Sequence, residues 1–301
     1  MARVGIPTLW QGLLLVVLFR PFVAGQAPPI SNALVGGPLT YAVQRGDSLT
    51  RVGARFGMDV PALAELNGLK PTARLKQGQK LRIDNPHIVP LTLDNGIVIN
   101  IPQRMLFYFE AGNLVAAYPA GLGRRTWRTP SGDFEVLEKK EGKTWIVPAS
   151  IQKEMLAKGS TLRTKVSPGP DNPLGDYWIR ISPAEGIHGT NAPASVYHFQ
   201  THGCIRPLPE NIAYLYKQVP IGAPVKIVYQ PVLLARLPDG KLYLEVHPDI
   251  YRKAGNPLTT IQPLAEAAGV DSVIDWAEVR KVIAERRGRA ENVSFPAAET
   301  P

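Results

Sequence analysis

The chain holds one cysteine, Cys204, inside Thr201-His202-Gly203-Cys204-Ile205-Arg206, with His188 upstream in Ile187-His188-Gly189-Thr190-Asn191. A sulfur, two histidines, glycines beside both and a nearby arginine are the parts of cysteine acyl-transfer chemistry. The thiolate is the nucleophile, and a neighbouring imidazole is the usual means of generating it near neutral pH. Gly203 allows the backbone to approach a substrate closely, so its amide and that of Cys204 could hold a developing oxyanion. Arg206 presents a planar fork suited to a carboxylate. Taken singly, a lone cysteine is more often a small buried hydrophobe, and a lone histidine a structural hydrogen-bonder. Here three of the five histidines, His188, His198 and His202, crowd the only cysteine, while His87 and His247 stand apart. That clustering favours catalysis. On chemistry alone either His188 or His202 could reach the sulfur; His198 reads as a loop residue.

The N-terminus places this chemistry outside the cytoplasm. Met1-Ala2-Arg3, an apolar stretch from Leu9 to Phe19 and small residues at Val23-Ala24-Gly25 are the three parts of a secretory signal over residues 1–25. The apolar core is short for a transmembrane helix and Arg20 interrupts it, which favours a cleaved signal over an anchor. With one cysteine there is no internal disulfide, and an unpaired thiol in an oxidising compartment is one that is used or buried. The net charge of +9 comes without a dense Lys/Arg run, so an anionic cell wall or membrane surface is a better partner than nucleic acid. Part of the excess, Arg280-Lys281 and Arg286-Arg287-Gly288-Arg289, falls at the end of a helical pattern that its charge would suit.

Residues 26–38, rich in Pro, Gly and Ala, read as a linker. A small unit follows over 39–85. Tyr41–Gln44 alternates as a strand, Asp47 or Ser48 caps a helix burying Leu49, Val52 and Phe56, and Gly57 ends it. Asp59 opens a second helix with Leu63 and Leu66 inward, Asn67-Gly68 stops it, and Lys80–Ile83 closes the unit as a strand. So small a core is at the lower limit for independent folding. Tyr41–Leu49, Asn67-Gly68-Leu69 and Leu75–Leu81 resemble a LysM module, which implies binding to N-acetylglucosamine-containing glycans such as peptidoglycan.

The larger unit, 86–230, is dominated by strand signals at 96–101, 105–109, 114–118, 132–137, 177–181 and 225–228, with a hairpin turn at Ala111-Gly112-Asn113. Glu210–Val219 carries a helical face of Ile212, Leu215, Tyr216 and Val219. Three stretches, Thr129–Phe134, Gly169–Gly175 and the run from Ile187 to Arg206, resemble the YkuD-type L,D-transpeptidase family. Together with LysM the arrangement is similar to the ErfK/YbiS/YcfS/YnhG group of Gram-negative bacteria. The resemblance extends through Asp239-Gly240 and Leu244–His247.

The family likeness implies an α+β protein: a mostly β catalytic domain of YkuD-like β-sandwich type, a βααβ LysM module, and a partly helical extension over 231–301. It implies that Cys204 attacks the carbonyl after the third residue of a peptidoglycan stem and expels the terminal D-alanine. His188 takes the general-base role, held by the backbone carbonyl of Gly189, and His202 lines the site near the oxyanion donors. Gly203 supplies oxyanion backbone, and Arg206, Thr201, Thr190 and Asn191 fall to substrate binding. The thioester then passes to an amine, either diaminopimelate of another stem or a lysine of an envelope protein such as an outer-membrane lipoprotein or barrel protein. No cofactor or metal is implied, and the location is the periplasm. Thr201 stands where serine is common, and the Tyr197–Gln200 loop and Pro207 also depart from the family pattern; these bear on the acceptor more than on the reaction.

In the extension, Gln262–Arg286 reads as a helical pair with Val270, Ile274, Val279 and Ile283 available for burial, and residues from Ala290 on read as disordered. Other readings are hydrolysis by an L,D-carboxypeptidase and a non-catalytic peptidoglycan-binding scaffold. A metallopeptidase is disfavoured by the lack of a His-Glu-x-x-His segment.

Overall fold

The structure, a computed structural model, describes residues 30–295. The expected signal peptide, the first residues of the expected linker and residues 296–301 lie outside the described residues.

The small N-terminal unit forms as its caps dictate. Helix α1 (Leu49–Phe56) starts at Ser48, whose hydroxyl accepts the Arg51 amide, and stops at Gly57 in the left-handed conformation (φ 67°). Helix α2 (Val60–Leu66) begins after Asp59, but the Asp59 side chain makes no capping bond. The strands Pro38–Ala42 and Lys80–Asp84 pair antiparallel and cover the helices with a core of Val43, Leu49, Val52, Leu63, Leu81 and Ile83.

In the larger unit, a seven-stranded mixed sheet runs in the order 199–201, 113–123, 105–110, 96–100, 224–228, 132–135, with the short strand 206–207 pairing on 113–123. The 105–110 and 113–123 strands are joined through Ala111 (φ 48°) and Gly112 (φ 76°), both left-handed, as a two-residue hairpin with right-handed strand twist requires. Alternation along the central strands sends Ile97, Ile99, Leu106 and Tyr108 to one face, and Val98, Met105, Phe107 and Phe109 to the other. Both faces are covered, which is why these strands read as unbroken apolar runs. On the first face lies a three-stranded sheet, 186–188, 177–180 and 138–141, contributing Ile179 and Ile187. Two more helices belong here. Helix α3 (Ala149–Ala157) buries none of its residues, and α4 (Pro209–Gln218) sends Ile212 and Leu215 into the same core.

The extension holds the expected pair of helices together with a small sheet. It contains a sheet of strands 232–236, 242–246 and 290–292, on which α5 (Pro257–Ala267) and α6 (Trp276–Glu285) pack around Leu242, Leu244, Ile261, Val270, Ile274 and Val279. Helix α5 begins five residues before the expected Gln262, capped by the Asn256 side chain, and carries Pro263 in its interior. Two other expectations are corrected. Ala290–Asn292 is an ordered strand paired with Tyr243–Glu245. Residues 31–38 are not a plain linker, since Leu34–Val35 pairs antiparallel with His87–Ile88 and Ser31 bridges to Ala235. The small N-terminal unit is thus flanked by two paired strands, tied to the sheet of the extension through Ile88, Leu233, Ala235 and Ala290.

Candidate active site

Cys204 lies in the turn between the strands 199–201 and 206–207, just ahead of α4. The turn is built by its own side chains. The Thr201 hydroxyl donates to the Cys204 carbonyl at 2.6 Å and accepts the Gly203 amide at 3.2 Å. The Gly203 carbonyl accepts from the Thr129 hydroxyl at 2.9 Å. Gly203 itself has φ 113°, a conformation that excludes other residues. The Gly203 amide is therefore engaged by Thr201, whereas the Cys204 amide makes no hydrogen bond among the described residues. Of the two oxyanion donors the sequence suggests, the Cys204 amide is the free one.

Cys204, His188, His202, Arg206, Trp178 and Lys143 line one cleft of about 570 Å³. His188 is buried on the strand 186–188, with its Nδ1 2.6 Å from the carbonyl of its neighbour Gly189. A carbonyl only accepts, so Nδ1 carries the hydrogen and Nε2 is left with the lone pair of a base. The Trp178 ring stacks on the imidazole, 5.6 Å between centroids at 20°. Burial, and then the Arg206 charge, push His188 down to about 3, against the pull of the Gly189 and Leu174 carbonyls. Burial also pushes the Cys204 thiol above its ordinary 9.0, although a hydrogen bond from the Gly186 backbone and the charge of Arg206 pull the other way. Both groups rest neutral, so the site is built for a thiol and a base rather than a standing ion pair.

The other expected site residues divide. Arg206 reaches the Ser195 hydroxyl through Nη1 at 3.1 Å, and its Nε is buried and unpaired among the described residues. His202 also lines the cleft, with Nε2 2.8 Å from Glu154 on α3 and 3.1 Å from Arg124, and with Trp127 edge-on at 5.0 Å. Arg124, His202 and Lys158 hold the Glu154 carboxyl well below the usual carboxylate range. Thr201 lines the cleft, with its hydroxyl bonded within the turn, whereas Thr190 is buried and its hydroxyl accepts the Ala192 amide at 2.9 Å. Asn191 is exposed and bonds the Pro170 carbonyl. Spacing did not point to Trp178, Glu154 or Thr129 as parts of the site, although Thr129 falls in one of the stretches that carry the family likeness.

The remaining histidines belong to a joint between the small N-terminal unit and the rest. Glu245, fully buried, receives His87 at 2.8 Å and His247 at 2.7 Å on one oxygen, and the Ile88 amide and the Gln103 side chain on the other. His87 passes on to the Gly57 carbonyl at 3.1 Å. A side chain on Gly57 would crowd both His87 and Met105, so glycine serves the close approach as well as the helix end. Nearby, Arg104 holds Asp59 through two 2.8 Å bonds and stacks 3.9 Å above the Tyr197 ring. Asp59 is thereby diverted from capping α2. Half-buried His198 sits beside this pair, with burial and then Arg104 lowering its pKa. His87, Glu245 and His247 form the one group of three potential metal-ligating side chains among the described residues, but their ligand atoms are bonded to one another. Part of the basic C-terminal cluster is paired internally: Arg289 with Asp84, and Arg287 with Glu65, Glu285 and Glu291, while Arg280, Lys281 and Arg286 are exposed.

Comparison with known proteins gives a consistent picture. The L,D-transpeptidase catalytic domain (YkuD) matches residues 94–227, and the LysM domain residues 41–84. The chain is 33% identical over 293 residues to a protein of Salmonella typhimurium named probable L,D-transpeptidase ErfK/SrfK, covering 94% of each. It is 32% identical over 294 residues to the Escherichia coli protein named probable L,D-transpeptidase YbiS, covering 92% of this chain and 94% of that one. With the E. coli protein named probable L,D-transpeptidase YcfS it shares 31% identity over 263 residues, 82% of either.

Proposed function

The chain belongs to the L,D-transpeptidase family, and from that premise we propose that Cys204 forms a thioester with a peptidoglycan stem tetrapeptide, releases D-alanine and passes the acyl group to an amine. The observation that carries this reading is a single cleft lined by Cys204 and His188, in which the Gly189 carbonyl holds the Nδ1 of His188 and the Cys204 amide makes no hydrogen bond among the described residues. His188 takes the thiol proton as sulfur attacks the carbonyl carbon, and the carbonyl oxygen takes the charge. The Cys204 amide stabilises that oxyanion, an interaction that exists only as the charge develops. As the C–N bond breaks, the imidazolium returns the proton to the departing amine. Burial, which makes a charged His188 costly, speeds this return. An incoming amine then attacks the thioester, gives its proton to His188, and the thiolate leaves and is reprotonated.

Arg206 and Lys143 make the cleft basic, which suits a stem peptide rich in carboxylates. The acceptor is the side-chain amine of diaminopimelate on a second stem, or a lysine of an envelope protein. The LysM unit holds the glycan strand that bears the stem. Export by the N-terminal signal to the periplasm of a Gram-negative bacterium completes the proposal, with a role in cell-wall crosslinking and cell shape. Within 30–295, no helix is long and apolar enough to cross a membrane.

Intact-protein mass spectrometry with disaccharide-tetrapeptide tests the reaction, with and without an acceptor amine. An adduct on Cys204, D-alanine release and a crosslinked dimer are the expected results, all lost in Cys204→Ala. Tripeptide alone in the presence of acceptor would turn the assignment to a carboxypeptidase. An unmodified wild-type protein would leave a peptidoglycan-binding scaffold.

A further inference from the structure

Tyr251 lies in the extension, beyond the matched segment 94–227, yet it is 1% exposed and part of the catalytic core. Its hydroxyl donates to the Gly123 carbonyl at 2.6 Å and accepts the Thr129 amide at 3.1 Å. The Thr129 hydroxyl accepts the Gly123 amide at 2.9 Å and donates to the Gly203 carbonyl at 2.9 Å. Four hydrogen bonds thus connect a tyrosine of the extension to the peptide preceding the nucleophile. That peptide is planar, and its carbonyl and N–H point in opposite directions. Holding the Gly203 oxygen therefore aims the Cys204 N–H, the free donor of the turn.

We propose that Tyr251 is a positioning residue for the Cys204 oxyanion donor, acting through Thr129 and the Gly203–Cys204 peptide. The inference rests on the acyl-transfer reading above. The tyrosine is itself braced. Tyr229 stacks on it at 5.5 Å and 18°, accepts the Tyr251 amide at 2.8 Å, and donates to Asp249. Asp249 in turn ties down the Lys253 and Ala254 amides at 2.9 Å each. A buried tyrosine hydroxyl needs some partner, and any carbonyl in the core would serve. This one instead closes the loop from Gly123 to Thr129, whose side chain holds the Gly203 carbonyl. Removing it leaves the Gly123 carbonyl and the Thr129 amide unpaired and releases Thr129 to shift.

The test compares the full chain with Tyr251→Phe in two reactions of the same sulfur. Acylation by disaccharide-tetrapeptide builds an oxyanion, whereas alkylation by iodoacetamide displaces iodide at a saturated carbon and builds none. Losing an oxyanion donor outright costs about 10²–10³ in rate, so a donor present but misdirected is expected to cost about tenfold. The expected result is kcat for D-alanine release down about tenfold, with KM and the alkylation rate within twofold of wild type. Unchanged acylation overturns the proposal, and so does a parallel loss of alkylation, which would mean general loosening. If Tyr251→Phe does not fold, Tyr229→Phe, which frees the backbone carrying the hydroxyl, is judged by the same two readouts. A wild-type protein that alkylates but is not acylated refutes the acyl-transfer reading, and this inference with it. Equal acylation of wild type and variant refutes this inference alone.

Discussion

The resting state of the Cys204–His188 pair is open to direct measurement through pH. A thiol at its ordinary 9.0 is about 1% thiolate at pH 7, and burial pushes Cys204 above that value. Burial and then the Arg206 charge hold His188 at about 3, which favours the neutral imidazole at pH 7 and disfavours a standing thiolate–imidazolium pair. Alkylation of Cys204 by iodoacetamide, followed by intact mass from pH 5 to 11, should therefore run below about 1% of its limiting rate at neutrality. It should climb about tenfold per pH unit until past pH 9. His188→Ala should leave this profile in place, because a neutral imidazole does not stabilise the thiolate. The same substitution should cut acylation by tetrapeptide by about 10²–10⁴, the usual worth of a general base. An alkylation plateau with a midpoint below pH 7 would refute the argument, as would a midpoint that His188→Ala moves upward. Either result would mean that the imidazolium stands ready before substrate arrives.

The other predictions concern the residues around this pair and the joint. His198→Ala should leave acylation within about threefold of wild type, since its ring sits beside Asp59 and Arg104 rather than in the cleft; steady-state D-alanine release checks this. Glu245→Leu strips four donors of their acceptor inside a dry joint, and urea unfolding should show a loss of about 3–5 kcal/mol. Glu245→Gln should cost far less, about 1 kcal/mol, because both histidines can turn a lone pair toward the new amide while the Gln oxygen keeps Ile88 and Gln103. Burial opposes the ionised Glu245, yet His87 and His247 hold its carboxyl at about 2. A lowered carboxyl contributes stability above its unfolded pKa of about 4.5, and loses it as pH falls from there toward 2. Wild type should weaken across that window in urea melts, and Glu245→Gln should lack this component. Asp59→Ala strands the buried Arg104 guanidinium and should make the LysM unit sensitive to proteolysis near residues 85–86, a change readable on a gel.

Local physics carried most of what was legible in the sequence. Ser48 and Gly57 bound α1 because a hydroxyl cap and a left-handed glycine act within one helical turn. Ala111-Gly112 marks its hairpin for the same kind of reason, and the apolar runs at 96–100 and 105–109 are central strands. The cysteine turn and His188 stood out because residue types rather than distant contacts identify them. What escaped was long-range. His87 and Glu245 are 158 positions apart, and nothing near either one announces the other. Ala290–Asn292 has no strand-forming side chains and is held by pairing with Tyr243–Glu245, an outcome set by tertiary context rather than propensity. Leu34–Val35 is too short to show a period and sits between turn-forming residues, so its pairing with His87–Ile88 read as a linker. The hydrogen bonds of Thr201 escaped through scale, because a hydroxyl beside the cysteine can face a cleft or fold back on its own backbone, and only the turn geometry decides.

The long-range contacts share one consequence. The LysM core is small enough to be marginal alone, and the chain does not leave it on a flexible tether. Gly57, Asp59 and Asp84 are held by His87, Arg104 and Arg289, and Ala54 of α1 packs on Val196 and Leu208. Val196 follows Ser195, which receives Arg206 of the cleft, so the docked face of the module lies one residue from a side chain of the active site. A tethered glycan-binding unit would raise the local concentration of stems without choosing their direction. The contacts of His87, Arg104, Arg289 and Ala54 instead fix the position of the small module relative to the cleft.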